Sequence, residues 1–249
     1  MDQSVLYDQK DNIAIITLNR PEAYNTVTRD LCDGVAAGLI RAENDDSVHL
    51  IVITGTGDKA FCAGLDLKIL SQDPVALRDD REFLDAFLGR KKPLIGAING
   101  FAITAGFEIA LMCDLLYASE NAVFSDTHCK VGILPGWGLS QRLSRLIGPA
   151  RAKELHYTGK KISAHRALEW GLVNKVVSPE SLMDETLALA KDVASHDPKH
   201  IQAIKSVVDR GALLPLDQAI DYEYQNSREH NMKLDFSVMT ERLQQMRKK

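Results

Sequence analysis

Asn99 to Asp114 reads NGFAITAGFEIALMCD, and the fold class turns on its flanking segments. Before it stands Pro93-Leu94-Ile95-Gly96-Ala97-Ile98, a short apolar run bounded by turn residues, the pattern of a buried strand. Within it Ile109, Met112 and Cys113 recur at helical spacing. The stretch is therefore a strand, a tight turn and a helix start. Unpaired N–H groups collect at such a start, and the helix dipole adds partial positive charge. An oxygen that gains negative charge is stabilised there. Glu108, one turn in, adds a carboxylate among the apolar neighbours Phe107, Ile109 and Ala110.

Working outward, the same strand-and-helix alternation repeats. Asn12 to Asn19 is an isoleucine-rich strand stopped at Arg20-Pro21. Thr28 caps a helix whose stripe is Leu31, Val35, Leu39 and Ala42. His49 to Thr54 is a continuous apolar run, read as a strand covered on both faces. Helical patterning returns over Arg78 to Leu88, and strands over Leu115 to Ala118 and Ala122 to Ser125. From Ser140 the pattern is mostly helical. Repeated alternation of this kind gives an α/β core with mainly parallel strands.

The bulk numbers narrow the function classes. The 249 residues carry a net charge of -4, with 45% hydrophobic and 26% charged residues. That balance disfavours nucleic acid or an anionic membrane as a bulk partner. No apolar run approaches a membrane span. Cys32, Cys62, Cys113 and Cys129 form no CxxC pair and read as free thiols of a reducing compartment. The N-terminus shows no targeting pattern and the C-terminus ends Met-Arg-Lys-Lys. The expectation is a cytoplasmic protein, or an organelle-matrix one after removal of a presequence. Cys113, Cys129, His128 and His156 lack zinc-ligand spacing, so no metal is expected. No GxSxG elbow is present.

One loop has two readings. Gly55-Thr56-Gly57-Asp58-Lys59-Ala60 comes after a strand and matches GxGxxA, the loosest dinucleotide fingerprint. That fingerprint needs a helix starting inside it. Here the next residues are Phe61-Cys62-Ala63-Gly64, another glycine turn, which favours a loop that wraps a ligand or simply turns at the surface.

Four ordered motifs now carry a resemblance. Leu18-Asn19-Arg20-Pro21, Ala60 to Leu67, Ala97 to Glu108 and Gly132-Ile133-Leu134-Pro135-Gly136 resemble the crotonase superfamily, the enoyl-CoA hydratase/isomerase group. The resemblance runs from about Asn12 to Val177. It implies an α/β fold, a spiral of ββα turns over residues 1–177, with a C-terminal helical trimerisation region over 178–249. Leu182, Leu187, Leu189, Val193, Leu214, Ala219, Tyr222 and Tyr224 supply apolar positions for a homotrimer or a hexamer of two trimers. Phe236 to Lys249 matches the family's C-terminal pattern poorly.

The resemblance also implies an acyl-CoA substrate and no cofactor, coenzyme A being part of the substrate. Its thioester oxygen would be held by the backbone N–H groups of Leu65 and Ala105. Ala63, Asp66, Leu67 and Lys68 would line the coenzyme A pocket. Lys59 and Lys68 would meet phosphates or stay solvated. Trp137 would shape the acyl pocket or fill the core. Hydratases of the family flank the substrate with two glutamates. Glu108 matches the first, and His128 stands where the second is usual. Imidazole can still move a proton, and Asp126, two residues away, could orient it. The leading expectation is hydration of a trans-2-enoyl-CoA to the 3-hydroxyacyl-CoA. The alternatives are a Δ3-Δ2 enoyl-CoA isomerase using Glu108 alone, a thioester hydrolase or decarboxylase, and a non-catalytic acyl-CoA-binding homologue.

Overall fold

The computed structural model describes residues 3–72, 80–234 and 240. Its strands are β1 (Val5–Lys10), β2 (Ile13–Leu18), β3 (Leu50–Gly55), β4 (Ala60–Cys62), β5 (Leu94–Ile98), β6 (Phe101–Ile103), β7 (Leu115–Ser119), β8 (Val123–Ser125), β9 (Lys161–Ser163) and β10 (Lys175–Val177). Its helices are α1 (Arg29–Asn44), α2 (Leu67–Gln72), α3 (Arg81–Leu88), α4 (Ala105–Leu111), α5 (His128–Val131), α6 (Leu139–Ile147), α7 (Pro149–Thr158), α8 (Ala164–Glu169), α9 (Leu182–Ala194), α10 (Pro198–Gly211) and α11 (Leu216–Asn231).

Two sheets organise the first part of the chain. One has the order β1-β2-β3-β5-β7-β10, the other β4-β6-β8-β9. β2, β3, β5, β7 and β10 run parallel, with β1 antiparallel at one edge. In the second sheet β4, β6 and β8 run parallel and β9 is antiparallel. The chain climbs through them in step: β3 then β4, β5 then β6, β7 then β8, with helices after each pair. Each turn of this ββα spiral contributes one strand to each sheet.

Burial explains why these segments hold their places. Leu50 to Ile53 in β3 are fully buried, as a strand covered on both faces requires. Thr28 caps α1 by accepting from the Leu31 N–H at 3.2 Å, and Leu31, Val35, Leu39 and Ala42 are all buried. β5, ahead of the turn into β6 and α4, is buried along its whole length. Residues 78 and 79 of the expected Arg78–Leu88 helix lie outside the described residues, as do 235–239 and 241–249.

The end of the glycine loop excludes the dinucleotide reading. Ala60 enters β4 instead of a helix. The loop is tied down by two asparagines: Asn25 Nδ2 donates to the Thr56 and Ala60 carbonyls at 3.0 and 2.9 Å. Asn99 Nδ2 donates to the Gly57 carbonyl at 2.8 Å, while its Oδ1 accepts from the Gly55 N–H at 3.2 Å. No helix start is left for a pyrophosphate.

The chain forms two compact units, Met1–His196 and Asp197–Lys249. α9 belongs to the first. Its Leu182 and Ala190 are buried with Ile13, Leu50, Val52, Ile95 and Ala97 on one side of the larger sheet. In the second, α10 and α11 pack on each other, and His200 Nδ1 lies 3.0 Å from His230 Nε2. Neither helix has a buried residue, and Val208, Leu216, Ile220 and Tyr224 are exposed.

Candidate active site

The site is built where the second strand of each spiral turn runs into its helix. Gly64, just after β4, has φ +100, and a Cβ there would lie 3.1 Å from the Ile103 carbonyl oxygen and 3.9 Å from the Ala105 nitrogen. Glycine alone lets the two loops approach so closely. Leu65 is held on the far side by a parallel bridge to Val27, through Val27 N–H to Gly64 O at 2.8 Å and Asp66 N–H to Val27 O at 3.0 Å. Ala105 opens α4. Among the described residues, neither the Leu65 nor the Ala105 N–H has a hydrogen-bond partner. Two unpaired amides beside one cleft are a place for an oxygen that becomes negative.

The strained residue is the one before Ala105. Thr104 has φ 53 and ψ -109, a conformation costly for a β-branched residue. Three contacts hold it: its N–H donates to Ser125 O at 2.9 Å, its hydroxyl lies 2.5 Å from that of Thr127, and it accepts from the Thr127 N–H at 3.2 Å. The unusual backbone falls on Thr104, so Ala105 keeps helical geometry and its N–H is left at the α4 start.

Glu108 is buried. Its Oε1 accepts from the backbone N–H groups of Trp137 at 2.8 Å and Leu139 at 3.3 Å. Burial is the largest influence on its titration and pushes its pKa above the ordinary 4.5. The Trp137 N–H, the His128 ring and the Leu139 N–H pull the other way without cancelling it, and Asp126 adds to the rise. Trp137 is itself pinned. Its ring donates from Nε1 to Asp80 Oδ2 at 2.5 Å and lies 4.6 Å from the Phe83 ring. It is buried with the core and carries Glu108 on its backbone.

β8 ends at Ser125, within the strand read at Ala122 to Ser125, and His128 begins α5. The Asp126 and His128 side chains meet, because Asp126 Oδ1 accepts from both the His128 N–H at 3.0 Å and its Nδ1 at 2.6 Å. Asp126 Oδ2 accepts from His156 Nδ1 on α7. Burial opposes charge on Asp126, but the hydrogen bonds from both rings and the His128 N–H outweigh it and lower its pKa. His128 lines a cleft with Ala63, Gly64, Leu65, Thr104 and Thr127, and the apolar side chains Leu67, Val131 and Ile133 complete the walls.

The cleft thus gathers Ala63, Leu65, Leu67 and His128 from the expected set, with Ala105 and Glu108 on the helix beside it. Asp66 is occupied inside its own loop. Its carboxylate pairs with Arg20 at 3.1 Å, accepts from Thr26 and caps the start of α2 through the Lys68 N–H at 3.2 Å. Lys59 and Lys68 are exposed. Sequence reasoning did not reach the Thr104–Thr127 pair, the Asp80 contact or His156. Each partner lies 23 residues or more away in the chain. Among the described residues no group of His, Cys, Asp and Glu is arranged to hold a metal ion.

The family model described as enoyl-CoA hydratase/isomerase matches residues 8–246. The chain belongs to the enoyl-CoA hydratase/isomerase family. It is 38% identical over 240 residues to a probable peroxisomal enoyl-CoA hydratase of Arabidopsis thaliana, covering 90% of this chain and 87% of that one. It is 37% identical over 229 residues to a short-chain-enoyl-CoA hydratase of Clostridium acetobutylicum, covering 88% and 86%. The solved structure of an enoyl-CoA hydratase from Bacillus anthracis superposes with a TM-score of 0.92 at 32% identity, covering 98% of this chain and 97% of that one. The ββα spiral is therefore the crotonase fold of this family. No described helix is long and apolar enough to cross a membrane.

Proposed function

We propose that this protein is an enoyl-CoA hydratase that adds water to a trans-2-enoyl-CoA thioester. The observation that carries the reading is the pair of unpartnered N–H groups, Leu65 and Ala105, beside a cleft lined by His128, with buried Glu108 one turn into the helix that Ala105 opens. The thioester oxygen accepts from both amides. As the water oxygen bonds to the β-carbon, the double-bond electrons move through the α-carbon onto the thioester oxygen, and the fixed dipoles stabilise the enolate charge with little reorganisation. Glu108 and His128 divide the two proton transfers. One takes a proton from the water and the other delivers one to the α-carbon. Exchange with solvent restores both, and the sum is one water added. No cofactor enters beyond the coenzyme A carried by the substrate.

His128 in place of a second carboxylate makes isomerisation by Glu108 alone the reading to separate. Glu108→Gln keeps the shape and the acceptor for the Trp137 and Leu139 amides but removes proton transfer, which is worth about 10²–10⁴ in rate. Hydration falls by that order while acyl-CoA binding persists. His128→Gln falls comparably if the two groups share the hydration. A mild His128→Gln variant in a protein that prefers 3-enoyl-CoA supports the isomerase. Binding without turnover by the wild type supports the acyl-CoA-binding homologue.

The exposed apolar positions of α10 and α11 support assembly into a trimer or a pair of trimers. The four unpaired cysteines support a reducing setting such as the cytoplasm.

A further inference from the structure

We propose that Asp126 and His156 are positioning residues that act through His128, holding its ring so that Nε2 is the nitrogen that exchanges protons in the cleft. The inference rests on the hydratase reading for its kinetic arm only. Asp126 is almost fully buried and both its oxygens are used. Oδ1 takes the Nδ1–H and the backbone N–H of His128, and Oδ2 takes the Nδ1–H of His156 at 2.5 Å. A carboxylate that meets each imidazole only at Nδ1 fixes the proton on Nδ1 of each ring. On His128 that leaves the Nε2 lone pair as the ring's proton acceptor, on a residue that lines the cleft with Leu65, Thr104 and Thr127.

His156 completes the device from another helix. It sits in the last turn of α7, and the next loop is tied to the His128 segment by two hydrogen bonds. Lys130 Nζ donates to Gly159 O at 2.9 Å and Ser125 Oγ donates to the same oxygen at 3.1 Å. The carboxylate itself is held from two elements, by His128 of α5 and by His156 of α7. Without the His156 donor, Asp126 Oδ2 would be a buried, unpaired carboxylate oxygen. The carboxyl would then protonate or turn, and either change releases the Nδ1–H of His128. The charged and titratable groups facing this unit are Glu108 on α4, Lys130 on α5 and His156 on α7. The wholly structural alternative is that His156 only fastens α7 to the β8–α5 loop.

The test uses the full chain with ¹⁵N-labelled histidine. In the wild type, the ring nitrogens of His128 report the Nδ1–H form, with Nε2 unprotonated or exchanging. His156→Leu mixes the two tautomers of His128 and lowers kcat about tenfold, with KM within about twofold of wild type. His156→Asn, whose side-chain amide can present a donor near the place of Nδ1, restores the tautomer and most of kcat. Asp126→Asn is harsher, with a loss in kcat of about 10²–10⁴. A wild-type His128 carrying its proton on Nε2 overturns the proposal with no variant needed. So does a folded His156→Leu protein with unchanged His128 signals and unchanged kcat, or an equal loss in His156→Leu and His156→Asn. If the wild type hydrates no enoyl-CoA, the hydratase reading fails, while the nitrogen signals still decide the positioning claim.

Discussion

Gly106→Ala probes the oxyanion pair through the backbone that carries it. Gly106 is next to Ala105 in the first turn of α4 and faces the end of β4. A Cβ there would lie 2.0 Å from the Cys62 carbonyl oxygen and 2.7 Å from its carbon. Ordinary contact begins near 3.4 Å, so β4 and α4 must part by about 1.4 Å, since no flexible side chain can give way. Overpacking of this kind costs about 1–3 kcal/mol, or several degrees in Tm for a chain of this size. The catalytic loss is larger than the stability loss suggests. Cys62 leads into Leu65 and Gly106 adjoins Ala105, so parting them opens the gap between the two N–H groups. A misplacement of about 1 Å can cost about 10² in rate. Thermal melts by circular dichroism and turnover of an enoyl-CoA check both. Gly136→Ala, whose Cβ meets nothing within 4 Å, is the control for stability. A Gly106→Ala protein with wild-type Tm and turnover would show that the two loops do not set the site.

Ala105→Pro removes one proposed donor, and turnover should drop about 10²–10³ in protein that circular dichroism shows to be folded; normal turnover in folded protein rules out the Ala105 assignment. Glu108 links the site to stability. Its folded pKa is raised, so its charging opposes folding as pH climbs from its ordinary 4.5 through the raised value. Glu108→Gln should therefore gain Tm over wild type above that window and lose the advantage below it; a gap that ignores pH, or widens in acid, contradicts the buried carboxyl. Light scattering at micromolar concentration should give a trimer or hexamer, and a monomer would leave the exposed faces of α10 and α11 without the proposed role.

Periodic and capped segments were legible in the chain. Thr28 and the Leu31–Val35–Leu39–Ala42 stripe give α1, and the apolar run of His49 to Thr54 gives β3, because each writes its period within one segment. Of the five described three-residue strands only β8 was legible, within Ala122 to Ser125; β4, β6, β9 and β10 are too short to show alternation, and pairing with neighbouring strands decides them. β1 alternates between half-buried and exposed residues at a sheet edge, which blurs its signal. Glu108 was legible as a carboxylate amid apolar neighbours. The place of His128 was legible too, but not its helix. Asp126 captures both the ring and the backbone N–H of His128, and that local bond turns the chain into α5. His156 and Asp80 have no sequence signal, since their partners come from other elements.

The most direct measurement is water addition by the wild-type protein across a small panel of trans-2-enoyl-CoA and 3-enoyl-CoA thioesters. Loss of the conjugated thioester absorbance and incorporation of ¹⁸O from labelled water would be measured together. The expected result is conversion of at least one trans-2-enoyl-CoA to a 3-hydroxyacyl-CoA carrying one labelled oxygen, faster than any 3-enoyl-CoA is converted. Conversion of 3-enoyl-CoA with no label gained, or acyl-CoA binding with no turnover across the panel, would contradict the hydratase assignment.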